Sequence, residues 1–274
     1  AAAARASRIL HSKTWEIEPT IAVVWPDRCV SAQGKQCGLC ERACPYGAII
    51  YETGKAAEVI TAKCHGCGGC VGECPHDAIT QLHYTDAQIL AQIRTLLATE
   101  PEKKILTLRC HWCSYGGADL AGTSHFEYSS NERGIKVMCS ARMDSDFIYE
   151  AFRLGAGAVL YSGCHPQDCH YITGQIVGEK RARRLETIFN RMNMSPGRFR
   201  VEWISAAEGD KYARVVNEMQ AALDAIPADK LMEEIERIRP EVTKRLSRLP
   251  NVPGVQPSLK HIDKFVDVML QEDK

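Results

Sequence analysis

The chain has 274 residues, and its 34 basic and 34 acidic side chains give a formal net charge of zero at pH 7. This balance argues against a nucleic-acid partner, because domains that bind nucleic acid usually carry a basic excess. Hydrophobic residues make up 45% of the sequence and charged residues 25%, which excludes an intrinsically disordered chain. Apolar runs such as 156–161 are too short for a membrane span, so no transmembrane segment is expected.

The 13 cysteines are the most informative part of the composition. The sequence does not open with a secretory signal pattern, so we expect a reducing, cytoplasmic compartment in which cysteines serve metal or redox sites. The length suggests about two domains. Residues 1–19 start with four alanines and no N-cap, so we expect them to be the end of an upstream domain or a linker.

The first eight cysteines fall into two similar groups, each followed by a proline. The second group is Cys64, Cys67, Cys70 and Cys74, with the spacing C-x2-C-x2-C-x3-C. The first group is Cys29, Cys37, Cys40 and Cys44, which repeats this pattern with a longer first interval. The spacing is typical of bacterial ferredoxins, in which three thiolates on one loop bind a [4Fe–4S] cluster and the fourth cysteine binds the other cluster.

This rule predicts two [4Fe–4S] clusters within residues 20–84. Cluster one is expected to take Cys29, Cys37, Cys40 and Cys74. Cluster two is expected to take Cys64, Cys67, Cys70 and Cys44. A pair of zinc knuckles is the alternative, but zinc sites do not need the trailing C-x3-C-P.

Short elements are expected around these loops. Alternating segments at 21–25, 48–51, 58–61 and 78–82 predict two small β-hairpins. A linker helix is predicted over 85–103, because Thr85 and Asp86 can cap it and apolar residues recur on one face. Pro101 and the charges after it mark the boundary of the next domain.

Residues 104–227 alternate between strand and helix patterns. Strands are predicted at 104–109, 134–138, 158–161 and 199–204, with helices at 145–154, 171–192 and 207–226. This alternation is typical of an α/β domain with a parallel, doubly wound sheet, so the chain combines an α+β ferredoxin-like domain with an α/β domain. Sites in such sheets form at the carboxyl ends of the strands.

The remaining cysteines, Cys110, Cys113, Cys139, Cys164 and Cys169, all fall at or after predicted strand ends. A structural zinc is one possibility, since His111, His165 and His170 are nearby. A dithiol redox pair is another. A [2Fe–2S] cluster bound by four of the five cysteines fits best beside two ferredoxin clusters, because it would be a third redox centre to which electrons could pass. The spacing does not show which of the five cysteines is not a cluster ligand.

Other patterns carry weaker expectations. Arg181, Arg183 and Arg184 are expected to form a solvated face, and Trp112 and Tyr115 are expected to serve packing instead of function. No dinucleotide fingerprint is present, so no complete flavin or nicotinamide site is encoded. A helical tail is predicted over 228–274, with a helix at 230–246 interrupted by Pro240. This tail packs on its own domain or contacts another subunit, and the Pro-rich linker within it favours the second.

The α/β segment resembles the delta subunit of methyl-viologen-reducing hydrogenase. The resemblance rests on the motifs CHWCSYGGADLAG (110–122), VMCSAR (137–142), GCHPQDCHYITG (163–174) and EWISAAEG (202–209). Residues 1–84 resemble the carboxyl end of the A subunit of heterodisulfide reductase. The two together resemble fused proteins, a group that includes the B subunit of the quinone-interacting membrane-bound oxidoreductase.

The resemblance implies an electron-transfer subunit without a complete catalytic site of its own. It implies a [2Fe–2S] cluster in the delta-like domain, which accepts electrons from a hydrogenase or a formate dehydrogenase. It also implies an FAD in an upstream domain or in a flavin-containing partner, with electron bifurcation there, and exchange of electrons with an external ferredoxin. Two other functions compete: a ferredoxin joined to a zinc-stabilised interaction module, and a thiol-dependent oxidoreductase that uses the cysteines at the sheet edge.

Overall fold

The computed structural model describes residues 20–246. The predicted upstream end at 1–19 and the last part of the predicted tail, 247–274, lie outside the described residues. Within residues 20–246, no helix combines the length and the apolar character needed to cross a lipid bilayer.

Residues 20–84 form two small sheets with two short helices on the cysteine loops. The elements are β1 Ala22–Val24, α1 Leu39–Ala43, β2 Ile49–Ile50, β3 Glu58–Val59, α2 Gly69–Gly72 and β4 Ile79–Gln81. Strand β2 pairs with β3, but β1 pairs with β4 across the whole region, with Val23 opposite Thr80. The prediction of two hairpins is therefore wrong for the outer pair, because the twofold repeat brings the first and last strands together.

The helix predicted as a linker runs from Asp86 to Leu96 and is α3. Thr85 and Gln88 form a capping box at its start, which satisfies two amides that the helix itself leaves unpaired. Ile89 and Ile93 are fully buried in the core of the domain that follows. This helix is therefore packed as part of the α/β domain.

The α/β domain is built on a four-stranded parallel sheet, as predicted. Its strands are β5 Ile105–Cys110, β6 Glu132–Val137, β7 Ala158–Gly163 and β8 Phe199–Trp203, in the order β6-β5-β7-β8. Its helices are α4 Ser114–Thr123, α5 Ser145–Arg153, α6 Gly174–Arg191, α7 Gly209–Asp224 and α8 Ala228–Leu246. The order reverses between β5 and β7, which is the place where open α/β sheets bind their ligands.

Alternate residues of each strand face opposite sides of this sheet. Leu106 and Leu108 pack with Ile135 and with residues of α3, α5, α6 and α8 in the larger core cluster. Ile105 and Leu160 pack on the other side against α4 and α7. Both faces are covered, so the sheet has the three layers expected of a doubly wound domain.

The structure corrects two expectations about the helices. Helix α4, directly after Cys113, was not predicted, because its glycine-rich start resembles a loop. Helix α8 runs through Pro240 instead of stopping there, and it buries Leu231 and Ile238. Of the two possibilities for the tail, residues 228–246 take the first, since α8 packs on α5 of its own domain. Contact of the tail with another subunit stays a prediction.

Candidate metal centres

Two cavities in residues 20–84 are each lined by four cysteines. The first cavity has the cysteines Cys29, Cys37, Cys40 and Cys74 in its wall. The second cavity has Cys44, Cys64, Cys67 and Cys70. Each cavity combines three cysteines of one sequence group with the last cysteine of the other group, Cys74 in the first cavity and Cys44 in the second. The cysteines that lie together are therefore the same sets of four that the spacing predicted.

The two cavities are built by the same local turn. Gly38 and Gly68 precede α1 and α2 with φ of 68° and 75°, a left-handed conformation that glycine adopts without a steric penalty. Each turn presents the cysteine two residues further on, Cys40 or Cys70, on the first turn of a short helix. The sequence repeat is therefore also a repeat of structure.

Backbone amides point at several of these sulfurs. Ala48 N–H donates to Cys44 Sγ at 3.4 Å, and Ala78 N–H donates to Cys74 Sγ at 3.4 Å. Such bonds stabilise thiolates and the negative charge of an iron–sulfur cluster. The amide donors thus fit the cluster type that the cysteine spacing predicts.

Burial has the opposite effect on the free thiols. Burial, with a smaller contribution from nearby cysteines, raises the pKa of Cys40 and of Cys67 to about 11. The pKa of Cys70 is raised for the same reasons. A cation must therefore hold these groups as thiolates at neutral pH, which again fits a metal cluster.

The other five cysteines meet at the carboxyl edge of the sheet and are called the five-thiol site. Cys110 ends β5 and Cys164 follows β7, and these are the neighbouring strands at which the strand order reverses. Cys139 follows β6. Cys113 and Cys169 lie in the adjoining loops before α4 and α6.

The five-thiol site has two parts. The sulfurs of Cys110, Cys113 and Cys164 lie within 4.8 Å of one another and form a triad. Cys110 Sγ is 3.7 Å from Cys164 Sγ. Cys169 contacts Cys164 on one side and Cys139 on the other, so Cys139 and Cys169 form a pair next to the triad.

Contacts within this site change the acidity of its thiols strongly. Hydrogen bonds from Cys113 and Cys164 lower the pKa of Cys110 to about 3, and Ser114 N–H donates to its sulfur as well. The pKa of Cys139 is raised by Cys169 and by burial. A low thiol pKa is typical of a nucleophile, but Cys110 is only 1% exposed, so a dissolved substrate has no access to it.

Two of the three nearby histidines have partners outside the triad, whereas His111 Nδ1 is buried without a hydrogen-bond partner in the described part of the chain. His165 Nε2 is 2.6 Å from Glu208 Oε2, and the His170 ring stacks on Trp112 with centroids 4.0 Å apart. The metal-binding group found among residues 20–246 contains the three triad cysteines and no histidine. The mixed cysteine–histidine zinc site considered from the sequence is therefore not assembled there.

Trp112 packs against its neighbours but stays partly exposed. Its side chain is 45% exposed, and its Nε1–H donates to the Tyr171 hydroxyl at 3.0 Å. Tyr171 is itself buried against Cys139. Trp112 is thus linked through Tyr171 to the side of the five-thiol site that holds Cys139 and Cys169. No pattern in the local sequence predicts this contact.

Arg181 differs from its expectation. It is buried, whereas Arg183 and Arg184 are exposed as predicted. Its guanidinium donates to the carbonyls of Ala141 and Gly72, each at 2.8 Å, and thereby joins the α/β domain to the ferredoxin-like region. Arg181 thus connects the two halves of the chain, as does the fully buried Arg142, which donates to the Tyr84 carbonyl at 2.9 Å.

The cysteine cavities and the sheet edge define an iron–sulfur protein that transfers electrons. In agreement, residues 35–79 match the family described as a 4Fe-4S dicluster domain. Residues 105–226 match the family described as methyl-viologen-reducing hydrogenase, delta subunit.

Curated relatives identify the family. The vhc iron-sulfur D subunit of the F420-non-reducing hydrogenase of Methanococcus voltae is 38% identical over 142 residues, which cover 52% of this chain and 99% of that protein. The chain therefore belongs to the hydrogenase delta-subunit family and carries a ferredoxin-like domain in addition. The A subunit of ferredoxin:CoB-CoM heterodisulfide reductase from Methanosarcina mazei is 37% identical over 227 residues, covering 82% of this chain. This chain spans only 28% of the length of that relative.

Proposed function

We propose that this chain relays electrons within a heterodisulfide-reductase-type complex and makes or breaks no substrate bond itself. The observation that supports this best is the arrangement of three sulfur groups in one connected structure. The first and second cavities hold four cysteines each, and the five-thiol site lies in the α/β domain next to the boundary between the domains.

The proposed ligands follow the groupings above. Cluster one takes Cys29, Cys37, Cys40 and Cys74, and cluster two takes Cys44, Cys64, Cys67 and Cys70. The five-thiol site takes a [2Fe–2S] cluster with four cysteine ligands. A binuclear cluster needs two ligands on each iron, so we assign Cys139 and Cys169 to one iron and two cysteines of the triad to the other.

The proposed partners are those that the family resemblance implies. A hydrogenase or a formate dehydrogenase supplies electrons at the five-thiol site, and a flavin-containing protein or upstream domain holds the FAD. An external ferredoxin exchanges electrons with the cavities in residues 20–84. This order is consistent with the identity that the chain shares with an iron-sulfur protein of a hydrogenase and with a component of a heterodisulfide reductase.

A zinc-stabilised interaction module is the second candidate. It is favoured by the triad, because three sulfurs within 4.8 Å of one another suit a single tetrahedral ion. In that case the α/β domain would be structural and only residues 20–84 would carry electrons.

Metal analysis of the full chain purified without oxygen distinguishes these functions. The relay predicts about ten irons per chain and no zinc, from two [4Fe–4S] clusters and one [2Fe–2S] cluster. About eight irons with one zinc would contradict the relay and support the interaction module. A Cys139→Ser variant serves as the control, since the relay predicts that it loses the two irons of the five-thiol site while retaining the eight irons of the ferredoxin-like region.

A further inference from the structure

The five-thiol site approaches one of the two cavities and not both. A buried group of Cys139, Ala141 and Tyr171 receives Cys67 and Tyr46 from the ferredoxin-like region. Cys67 belongs to the second cavity, and Cys139 and Cys169 form the pair of the five-thiol site. We call this meeting of Cys67 with Cys139, Cys169 and Tyr171 the Cys67 junction.

The glycines on each side of the junction agree with this proximity. A Cβ atom at Gly69 would lie 3.4 Å from Ala141 Cβ and 3.7 Å from Cys67 Sγ. A Cβ atom at Gly174 would lie 3.8 Å from the same Ala141 Cβ and 3.2 Å from Cys169 Sγ. Cys67 and Cys169 therefore lie on either side of the Ala141 side chain.

The cysteines of the first cavity face different neighbours. Cys40 and Cys74 pack in the core of the ferredoxin-like region together with Cys44, Cys64 and Cys70 of the second cavity. Among the described residues, the buried group around Cys139 includes no cysteine of the first cavity. The first cavity is therefore linked to the second within residues 20–84.

Arg181 fixes the two domains at this junction. Its guanidinium donates to Ala141 O at 2.8 Å and Met143 O at 3.0 Å on one side, and to Gly72 O at 2.8 Å on the other. A Cβ atom at position 72 would lie 2.6 Å from Ala141 O, so the close approach requires glycine there. The separation across the Cys67 junction is therefore set by buried polar contacts.

We infer that this chain connects its two domains electronically at the Cys67 junction. Electrons then pass between the five-thiol site and the second cavity directly, and between the five-thiol site and the first cavity only through the second. The inference rests on the proposed function, since it assumes a redox centre at each location. Electron tunnelling falls steeply with distance, so the nearest pair of sulfur groups determines the route. One electron given up on one side of the junction is taken up on the other, and no proton or bond change is required.

The test measures magnetic coupling in the full chain, reduced with dithionite without oxygen. Electron paramagnetic resonance gives the spin relaxation rate of the centre at the five-thiol site. We compare Cys64→Ser, which removes a ligand of the second cavity but keeps Cys67, with Cys29→Ser, the matching change in the first cavity. We expect the relaxation to slow severalfold in Cys64→Ser and to stay unchanged in Cys29→Ser. The reverse result, or equal rates in both variants, would overturn the junction.

A second variant pair keeps all cysteines and covers the case in which a ligand change unfolds the ferredoxin-like region. Arg181→Met should weaken the coupling across the junction while leaving the coupling between the two cavities intact. Arg183→Met is the matched control, because this residue lies on the same helix with its side chain 71% exposed. Unchanged coupling in Arg181→Met would contradict the role of this contact. A chain without any paramagnetic centre at the five-thiol site would instead refute the proposed function.

Discussion

The two halves of the chain assemble their cysteines in opposite ways. In residues 20–84 the cysteines lie on short loops, and the buried apolar side chains around them are few, chiefly Ile49, Val71 and Ile79. In the α/β domain the five cysteines extend from the ends of strands whose core includes Leu106, Phe147 and many others. Metal is thus part of the core in the first half, whereas in the second half it would sit at the edge of an already packed sheet.

The largest predicted effect tests this contrast directly. Removal of iron by oxidation and chelation should unfold residues 20–84, because metal binding supplies folding free energy where the apolar core is small. The α/β domain should keep its structure, since Cys110 and Cys164 are only a small part of its large apolar core. Amide hydrogen exchange checks this, with the buried helix α3 as the internal reference. Equal loss of protection in both halves would contradict the contrast.

The exchange of the fourth ligand between the two loops predicts the next effect. Cys74→Ser should remove the centre of the first cavity, although Cys74 belongs to the second sequence group. Cys44→Ser should remove the centre of the second cavity. Each variant should lose about four irons per chain.

The paired controls for this exchange are Cys37→Ser and Cys64→Ser. The spectrum of Cys74→Ser should match that of Cys37→Ser, and the spectrum of Cys44→Ser should match that of Cys64→Ser. If Cys74→Ser resembled Cys64→Ser, each centre would be held by its own sequence group, and the exchange would be refuted.

The five-thiol site predicts a smaller loss. Cys139→Ser and Cys169→Ser should each lose about two irons per chain, because both residues are assigned to one iron of a binuclear cluster. One of the three triad variants should keep its iron, since only two triad cysteines are needed. Iron analysis and visible absorption of the five variants measure this. Retention of iron in Cys139→Ser would show that the spare cysteine lies in the pair.

The smallest predicted effect concerns packing of helix α8 on the α/β domain. Glu234 bonds to the buried Arg198 at 2.8 Å and accepts from Ser195 N–H at 2.9 Å. Glu234→Gln should lower the free energy of unfolding by about 3 kcal/mol, because it leaves a buried guanidinium without its counter-charge. Glu236→Gln, whose side chain is 61% exposed, should change it by less than about 0.5 kcal/mol.

This effect should depend on pH in a defined direction. Burial alone would raise the pKa of Glu234, but hydrogen bonds from Ser195 and Arg198 outweigh it and lower the pKa. The stabilisation is therefore complete above the unfolded pKa of about 4.3 and is lost as the pH falls through the lower folded value. Denaturant unfolding at pH 7 and at lower pH should show the difference between wild type and Glu234→Gln shrinking with acidity. A constant difference would exclude the ionised carboxylate as its cause.

Local patterns in the sequence predicted much of this molecule. The spacing of the first eight cysteines predicted the two sets of four that line the cavities, because the ferredoxin loop is a short-range structure. The parallel sheet followed from the alternation of strands and helices. The edge at which the other five cysteines meet followed from the direction of the strands.

The errors came from contacts between segments that are distant in the sequence. Arg181 resembled its exposed neighbours, but Gly72, which is 109 residues away, supplies the carbonyl that holds it in the interior. Helix α8 continues through Pro240 because its apolar face packs on α5. The pairing of β1 with β4 likewise joins the two ends of the ferredoxin-like region.

The sequence by itself determined the chemistry of this protein, since residue type and local spacing decide which metal clusters a loop can bind. The tertiary structure alone decided how the sulfur groups are arranged relative to one another. Cys67 meets Cys139 and Cys169 only because a buried arginine and a glycine without a side chain let two domains pack closely. These residues are far apart in the sequence and become neighbours only when the two domains pack together. No local pattern or periodicity in the sequence predicts such a contact.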